Sequence, residues 1–391
     1  MTAQFSPILR RITPERRRRR HRWVPLLSVI ALLAVLVLVG LGGGAWYFSQ
    51  QILGVTHNSP DYSIQARLTL GDRIVLQRTA DTARPGVYGL QWPGGHAIVE
   101  GIIHVSRETV LRHVAGDVQG LSFRQATPAH LNASVYTTPA DVHLRYRTVP
   151  VPDTLGTMPA WYIPGRRHIW AILVHGYKNS RSEGIRPMPV LSRMGLPVLD
   201  ISYRNDLGAA ASPDGLYHLG ATEWQDVEAG VRYALAHGAQ RVILYGYSMG
   251  GGTVETFLHR STLAANVQAV VLDAPALDWG SVLDLAATQR GVPAILADVT
   301  KRVVAFRLGL GSLDDINGVR SARGLHARTL LFHGTRDTTV PIAGSDALAR
   351  ARPDLITYDR VPRAEHTEGW NIDHHAYERV LAGFLRRVLR G

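Results

Sequence analysis

Arg241-Val242-Ile243-Leu244-Tyr245-Gly246-Tyr247-Ser248-Met249-Gly250 is the stretch on which the reading of this chain turns. Val242 to Tyr245 is a short apolar run rich in strand-forming residues, as expected of a strand buried on both faces. Two more glycines follow Gly250, and then Thr253 to Arg260 reads as a helix. A serine caught between a buried strand and a helix has the setting of a nucleophile elbow. In such a turn the positions two before and two after the serine nearly touch, and Gly246 and Gly250 are the smallest residues available. The strained backbone then holds the Ser248 hydroxyl clear of its neighbours at the end of the sheet. The plain alternative is a glycine-rich structural turn, so the decision rests on partners elsewhere in the chain.

A serine hydroxyl is a weak nucleophile near neutral pH. It needs a base for its proton, and the base needs a carboxylate to fix its tautomer and stabilise its charge. Strand–turn–helix serine sites order these groups as Ser, then Asp or Glu, then His, which confines the search to residues after Ser248. Asp337 is the best carboxylate: it follows the buried run Leu331-Phe332-His333-Gly334, in a loop closed by Val340-Pro341. Its rivals Asp314 and Asp315 fall in an inserted segment. His366 is the best base, because it follows a strand expected over Ile356 to Val361 and precedes the last helix. His374 and His375 read as the first turn of that helix, and His333 as a buried structural group beside Asp337. An oxyanion formed at this site would need two fixed N–H donors. The candidates are the backbone N–H of Met249, at a helix start, and that of Tyr177, after Val174-His175-Gly176, where Gly176 lets the main chain turn closely.

Outward from this stretch, strands and helices alternate, which argues for βα units and a mainly parallel sheet. His168 to Val174, Val198 to Tyr203, Val267 to Leu272 and Thr329 to Phe332 read as strands. Gly184 to Met194 reads as a helix, and Thr222 to His237 as another with a capping box at Thr222-Glu223-Trp224-Gln225. Residues 276–325 interrupt the alternation with two helical stretches and are expected to lie over the strand ends as a lid. Upstream, residues 50–139 are strand-like: Tyr62, Ile64, Ala66 and Leu68 alternate with polar residues, and Pro93-Gly94-Gly95 separates two hairpin strands. No motif in this β-rich accessory segment carries chemistry.

An apolar content of 46% with 19% charged residues belongs to a globular chain, and the absence of cysteine excludes disulfides and thiolate metal sites. The net charge of +12 is concentrated at one end: residues 1–22 hold eight Arg and one Glu, or +7 of the total. This is a basic tail and not a nucleic-acid-binding face, since no aromatic residues are interleaved with it. Trp23 to Phe48 is free of charge, and at ~1.5 Å per residue its ~39 Å exceeds a ~30 Å hydrocarbon core. The adjoining arginines predict a cytoplasmic N-terminus with everything after Phe48 outside, and Trp46 and Tyr47 suit the far interface. Gly43-Gly44-Ala45 also fits a signal-peptide cleavage site, but the apolar run is about twice the usual length for one.

These residues together resemble the α/β-hydrolase superfamily over about residues 140–391. The resemblance rests on Leu173-Val174-His175-Gly176, on Gly246-Tyr247-Ser248-Met249-Gly250, on His333-Gly334-Thr335-Arg336-Asp337 with Val340-Pro341, and on Ala364-Glu365-His366. Anchor, β-rich segment and hydrolase core in one chain are similar to single-pass bacterial members. The segment Ser202-Tyr203-Arg204-Asn205-Asp206 departs from the Arg-Gly-His-Gly loop of many members, which leaves the pocket shape open. The resemblance implies an α/β-hydrolase fold with a helical lid, and a serine hydrolase acting through Ser248, His366 and Asp337 with no metal or organic cofactor. Expected partners are the membrane and a small ester substrate with an apolar acyl group, and no nucleic acid. The alternatives are an exopeptidase or thioesterase with the same residues, or a non-catalytic scaffold. The expected division is a basic tail (1–22), a transmembrane helix (23–48), the β-rich segment (49–139) and the hydrolase domain (140–391).

Overall fold

The computed structural model describes residues 15–57, 61–68, 71–120 and 127–390; Arg10 and Arg11 of the basic tail lie outside the described residues. Helix α1 (Glu15–Leu53) runs without a break out of the basic tail. Its part Leu26–Leu53, 28 residues that include an 18-residue window of mean hydropathy 2.8, is long and apolar enough to cross a membrane. The helix does not stop at Phe48, where the apolar run gives way to Ser49-Gln50-Gln51. Ala45, Ser49 and Leu53 are fully buried and spaced by four, so one stripe of the last turns packs into the folded body. That burial carries the helix through the polar pair Gln50-Gln51.

The segment that follows is a closed barrel. Strands β1 (Ile64–Leu68), β2 (Arg73–Gln77), β3 (Tyr88–Trp92), β4 (Gly95–Val105), β5 (Thr109–Gly120) and β6 (Thr127–Asn132) are arranged in the order β1-β2-β5-β4-β3-β6. Every pairing in it is antiparallel. Alternate residues such as Ile64, Ala66, Ile74, Leu76, Leu90 and Val99 fill its interior, as a two-residue period requires. Closure comes from β6, which pairs Ala129 with Ile64 and Leu131 with Leu90. Among the described residues, no strand of the barrel is then left without a neighbour on either side.

The rest is a layered α/β body. In chain order it contains β7 (Arg147–Asp153), β8 (Gly156–Ile163), β9 (Ile169–Val174), α2 (Met188–Arg193), β10 (Val198–Ile201) and α3 (Trp224–Ala236). Then come β11 (Arg241–Tyr247), α4 (Met249–Arg260), β12 (Val267–Asp273), α5 (Trp279–Gln289) and α6 (Ala294–Arg307). The chain ends with β13 (Arg328–Gly334), α7 (Ala343–Ala351), β14 (Ile356–Val361), α8 (Gly369–Ile372) and α9 (His374–Val388). The sheet order is β14-β13-β12-β11-β9-β10-β8-β7. Strands β9 to β14 run parallel, whereas β8 is antiparallel to β10 and β7 to β8, so the sheet is mixed. Each parallel strand sends alternate residues to opposite layers: Val242 and Leu244 of β11 to one, Ile243 and Tyr245 to the other. Because the parallel strands share a direction, their carboxyl ends lie on one edge of the sheet.

Two helix expectations are corrected. Residues 184–194 form a 3-10 turn (Arg181–Ile185) followed by the short α2. Pro187 and Pro189 have no N–H to continue an α-helical ladder between them. The capping box at Thr222 is absent: Glu223 has helical dihedrals and makes no side-chain cap. Its carboxylate turns back to accept from the N–H groups of His218 at 2.6 Å and Gly220 at 2.9 Å, which fixes the loop before the helix.

Candidate active site

The turn from β11 to α4 places Ser248 at φ 47° and ψ −119°, a conformation that a residue with a side chain rarely adopts. Such strain costs on the order of 1–3 kcal/mol. Its surroundings hold it: the Ser248 N–H donates to Asp273 O at 3.0 Å, and Ser248 O accepts from Ala276 N at 2.9 Å. A Cβ on Gly246 would lie 2.6 Å from Gly251 Cα and 2.7 Å from Gly250 O, the close approach expected across the turn. Gly250 is needed for a different neighbour, since a Cβ there would overlap the carbonyl oxygens of Val174 and His175 at the end of β9. The two glycines therefore keep the turn tight and let it sit against the strand beside it.

Asp337 lies three residues past β13 and His366 five residues past β14, at the carboxyl edge where β11 delivers Ser248. His366 Nε2 is 2.8 Å from Ser248 Oγ, and His366 Nδ1 is 2.7 Å from Asp337 Oδ2. The other Asp337 oxygen accepts from the N–H groups of Thr339 at 2.8 Å and Val340 at 2.7 Å. His333, fully buried, also approaches Asp337 Oδ2 at 3.2 Å while its Nδ1 meets Ser345 Oγ at 2.7 Å. Burial works to raise the Asp337 carboxyl pKa, but hydrogen bonds from His333 and His366 outweigh it and hold the group far below the usual carboxylate range. For His366, burial works to lower the pKa, and the hydrogen bond and charge of Asp337 reverse the sign and leave it raised.

The loop after β9 lies beside the serine. A Cβ on Gly176 would be 3.0 Å from Ser248 Cβ, so the bare main chain is what fits there. Gly176 N–H donates to Glu183 at 2.7 Å, and Gly176 O accepts from the Tyr203 hydroxyl at 2.7 Å. Among the described residues, no hydrogen-bond acceptor engages the Tyr177 N–H. His175 stacks on Tyr203 at 4.2 Å, and its Nε2 is 2.7 Å from Asp206. Sequence reasoning passed over Glu183, Tyr203 and Asp206. Two of them lie in Ser202-Tyr203-Arg204-Asn205-Asp206, whose departure from the superfamily pattern was the available signal. Here that segment clamps the loop beside Ser248, with Arg204 held at 2.9 Å by the buried Asp226.

A cavity of about 680 Å³ opens above Ser248. Trp279, Val282, Leu283 and Ala286 of α5 line one side, and Thr338 to Val340 another. A further wall comes from α1, through Tyr47, Phe48, Gln51 and Ile52. The Tyr177 hydroxyl donates to Ile52 O, which fastens the loop beside the serine to that helix. Nothing in the sequence alone placed the end of the N-terminal helix at this cavity.

The rival residues lie elsewhere. Asp315 closes a capping box with Ser312 in a 3-10 turn, and Asp314 pairs with Arg320 at 3.0 Å. His374 and His375 begin α9, where His374 packs on Trp370 at 5.2 Å. Among the described residues, no group of three or more His, Asp or Glu side chains could hold a metal ion.

A mixed eight-stranded sheet whose fifth strand in chain order ends in a strained serine turn, with an inserted helical pair above it and an antiparallel hairpin at one edge, is the α/β-hydrolase fold. Solved structures agree. The chain is similar to the esterase Pf2001 of Pyrococcus furiosus, at 19% identity and a TM-score of 0.52, over 64% of this chain and 94% of that one. It is also similar to a puromycin-hydrolyzing peptidase of Mycobacterium tuberculosis, at 18% identity and a TM-score of 0.52, over 82% of this chain and 51% of that one. At such identities the likeness speaks for the fold. Residues 64–132 match a family described as a domain of unknown function, DUF8805, and these bounds are the first residue of β1 and the last of β6. No curated protein matches the sequence.

Proposed function

We propose that this chain is a membrane-anchored serine hydrolase that cleaves carboxylic esters. The observation that carries the reading is His366, within hydrogen-bond distance of Ser248 Oγ at 2.8 Å and of Asp337 at 2.7 Å. Ser248 Oγ attacks the ester carbonyl while His366 Nε2 takes its proton. The oxyanion accepts from the N–H groups of Met249 and Tyr177. His366 then gives the proton to the departing alkoxide, which leaves as the alcohol, and the acyl group stays on Ser248. Water attacks this acyl-enzyme with His366 again as base, and the acid is released.

On this reading residues 1–22 stay in the cytoplasm, Trp23 to Phe48 spans the membrane, residues 49–139 form the β-rich accessory domain, and the hydrolase domain (140–391) lies outside, with residues 276–325 as its lid. The uninterrupted helix supports a retained anchor. Gly44 packs against Leu296 and Ala45 is buried in the folded body, contacts that cleavage at Gly43-Gly44-Ala45 would remove. Ser248→Ala is expected to leave the fold intact and lower p-nitrophenyl butyrate turnover at least about 1,000-fold. Near-wild-type turnover in that variant would reject the assignment. Amide cleavage is the second reading, because the peptidase likeness spans 82% of this chain against 64% for the esterase. Matched ester and amide substrates on the purified enzyme decide between them.

A further inference from the structure

Resting on the hydrolase reading and its anchor, we propose that the substrate is a long-chain acyl ester held in the bilayer, which reaches Ser248 along the outer end of α1. Side chains of α1 are exposed throughout from Leu26 to Gly40, Leu41 is half-buried, and full burial is first reached at Ala45. Counted from Trp23, where the charge-free run begins, to Gly43, the helix spans ~32 Å, close to the ~30 Å thickness of a hydrocarbon core. The membrane surface therefore falls near Gly44, and Trp46 and Tyr47, 55% and 60% exposed, sit at headgroup depth, where such rings collect. The cavity above Ser248 begins on the same turn: Tyr47 and Phe48 line it, and so do Gln51 and Ile52 one turn further on. At ~1.5 Å per residue, the pocket wall starts within ~6 Å of the end of the lipid-facing stretch.

Helix α6 completes the mouth. Gly44 leaves room for Leu296, whose side chain would be 3.2 Å from a Cβ there. Arg307 donates to Ser49 at 2.9 Å and to Gln50 at 2.8 Å, and its guanidinium lies 4.5 Å from the centre of the Trp46 ring. Two large apolar side chains on this same short helix face outward, Ile295 at 62% exposure and Phe306 at 78%. Apolar side chains this exposed are costly in water but are accommodated by lipid. An apolar rim at headgroup depth, leading to a mostly apolar cavity behind it, suits an acyl chain sliding out of the leaflet better than a solute arriving from water.

The test uses the full-length protein in phosphatidylcholine vesicles. A long-chain p-nitrophenyl ester is placed either in the same vesicles or in separate ones, with soluble p-nitrophenyl acetate and a fluorophosphonate probe as reporters of the serine. The expected result is at least tenfold faster hydrolysis of the long-chain ester in the shared bilayer. Phe48→Trp on α1 and Ala286→Trp on the facing wall are each expected to move the acyl-length optimum several carbons shorter. Two variants from opposite walls keep the test open should one of them fail to fold. If the wild type labels and cleaves the acetate but shows equal rates in shared and separate vesicles, or if the folded variants keep the wild-type length profile, the bilayer route is wrong and the hydrolase reading stands. If neither labelling nor acetate cleavage occurs, the hydrolase reading itself fails.

Discussion

On the proposed hydrolase reading, protonation of His366 leaves Ser248 without a base, so the ring's pKa would set the lower pH limit of turnover. Asp337 raises that pKa against the opposing effect of burial. The acid limb of kcat/KM is therefore expected above the ordinary imidazole value of ~6.5, with activity falling as pH drops through it. A limb at or below ~6.5 in the wild type would mean that burial outweighs Asp337 at the reacting ring. Asp337→Asn replaces a doubly accepting carboxylate with an amide that can present an N–H to Nδ1 and select the wrong tautomer. The expected loss in kcat is about 10⁴-fold, with little change in KM, because the carboxylate does not touch the substrate. Binding of the fluorophosphonate probe should slow in parallel, which separates a chemical defect from a failure to bind ester.

Helix α4 carries the elbow at one end and an unpaired carboxylate one turn before the other. Glu255 is buried, and neither of its oxygens has a hydrogen-bond partner. His259, 3.9 Å away, is held toward its neutral form by burial and by His326. Burial pushes the Glu255 pKa up to about 8 from 4.5. Between those values the folded protein keeps a proton that the unfolded chain has released, so stability falls as pH rises across that window, by up to about 1.4 kcal/mol per pH unit. Glu255→Gln keeps the shape without the proton, and is expected to raise Tm at pH 8 while leaving pH 5 nearly unchanged. An equal Tm difference between pH 5 and pH 8 in both proteins would show that the carboxylate finds a partner. A second test concerns the other end of α4, where Gly250→Ala would drive a methyl into the carbonyls of Val174 and His175. On the proposed reading, most of the turnover of p-nitrophenyl butyrate should disappear, with the far-UV spectrum retained. This helix also shows what could be read in advance. Gly246, Ser248 and Gly250 announced the turn because a local backbone conformation demands particular residues at fixed offsets, and His366 and Asp337 followed from the order of strand ends. Closure of the barrel through β6, the Glu223 carboxylate turned back on its own loop, and Phe48 in the pocket wall were not legible. Each depends on contacts between segments far apart in sequence, which periodicity does not encode.

Across the whole molecule, the barrel bears on the segment that follows His366. Asn371 Nδ2 donates to Val87 O at 2.7 Å and to Ala133 O at 2.8 Å, and Val87 N–H donates back to Asn371 O at 3.0 Å. Gly86, at φ +121°, has no room for a Cβ beside that same carbonyl, which lies 2.5 Å from where one would stand. Three residues earlier, Glu368 pairs with Arg84 at 2.8 Å and accepts from the Tyr88 hydroxyl at 3.0 Å. From the sheet side, the buried Arg186 donates at 2.7 Å to both Thr367 O and Asn371 Oδ1. Residues 367–371 are thus gripped between barrel and sheet, and His366 is the next residue back along the chain. On the proposed reading this makes the barrel a brace for the base, and Asn371→Ala tests it by removing the two barrel contacts of that side chain and one acceptor of Arg186. Loss of a bond to a buried charged group costs about 1.5–3 kcal/mol, so a lower Tm is expected in any case. The diagnostic quantity is kcat per active site, counted by fluorophosphonate titration. It should fall roughly tenfold in Asn371→Ala with KM for p-nitrophenyl butyrate little changed, as the imidazole loses its fixed position. An unchanged kcat per titrated site, with only stability reduced, would mean that the barrel merely rests against the enzyme and does not hold His366 in place.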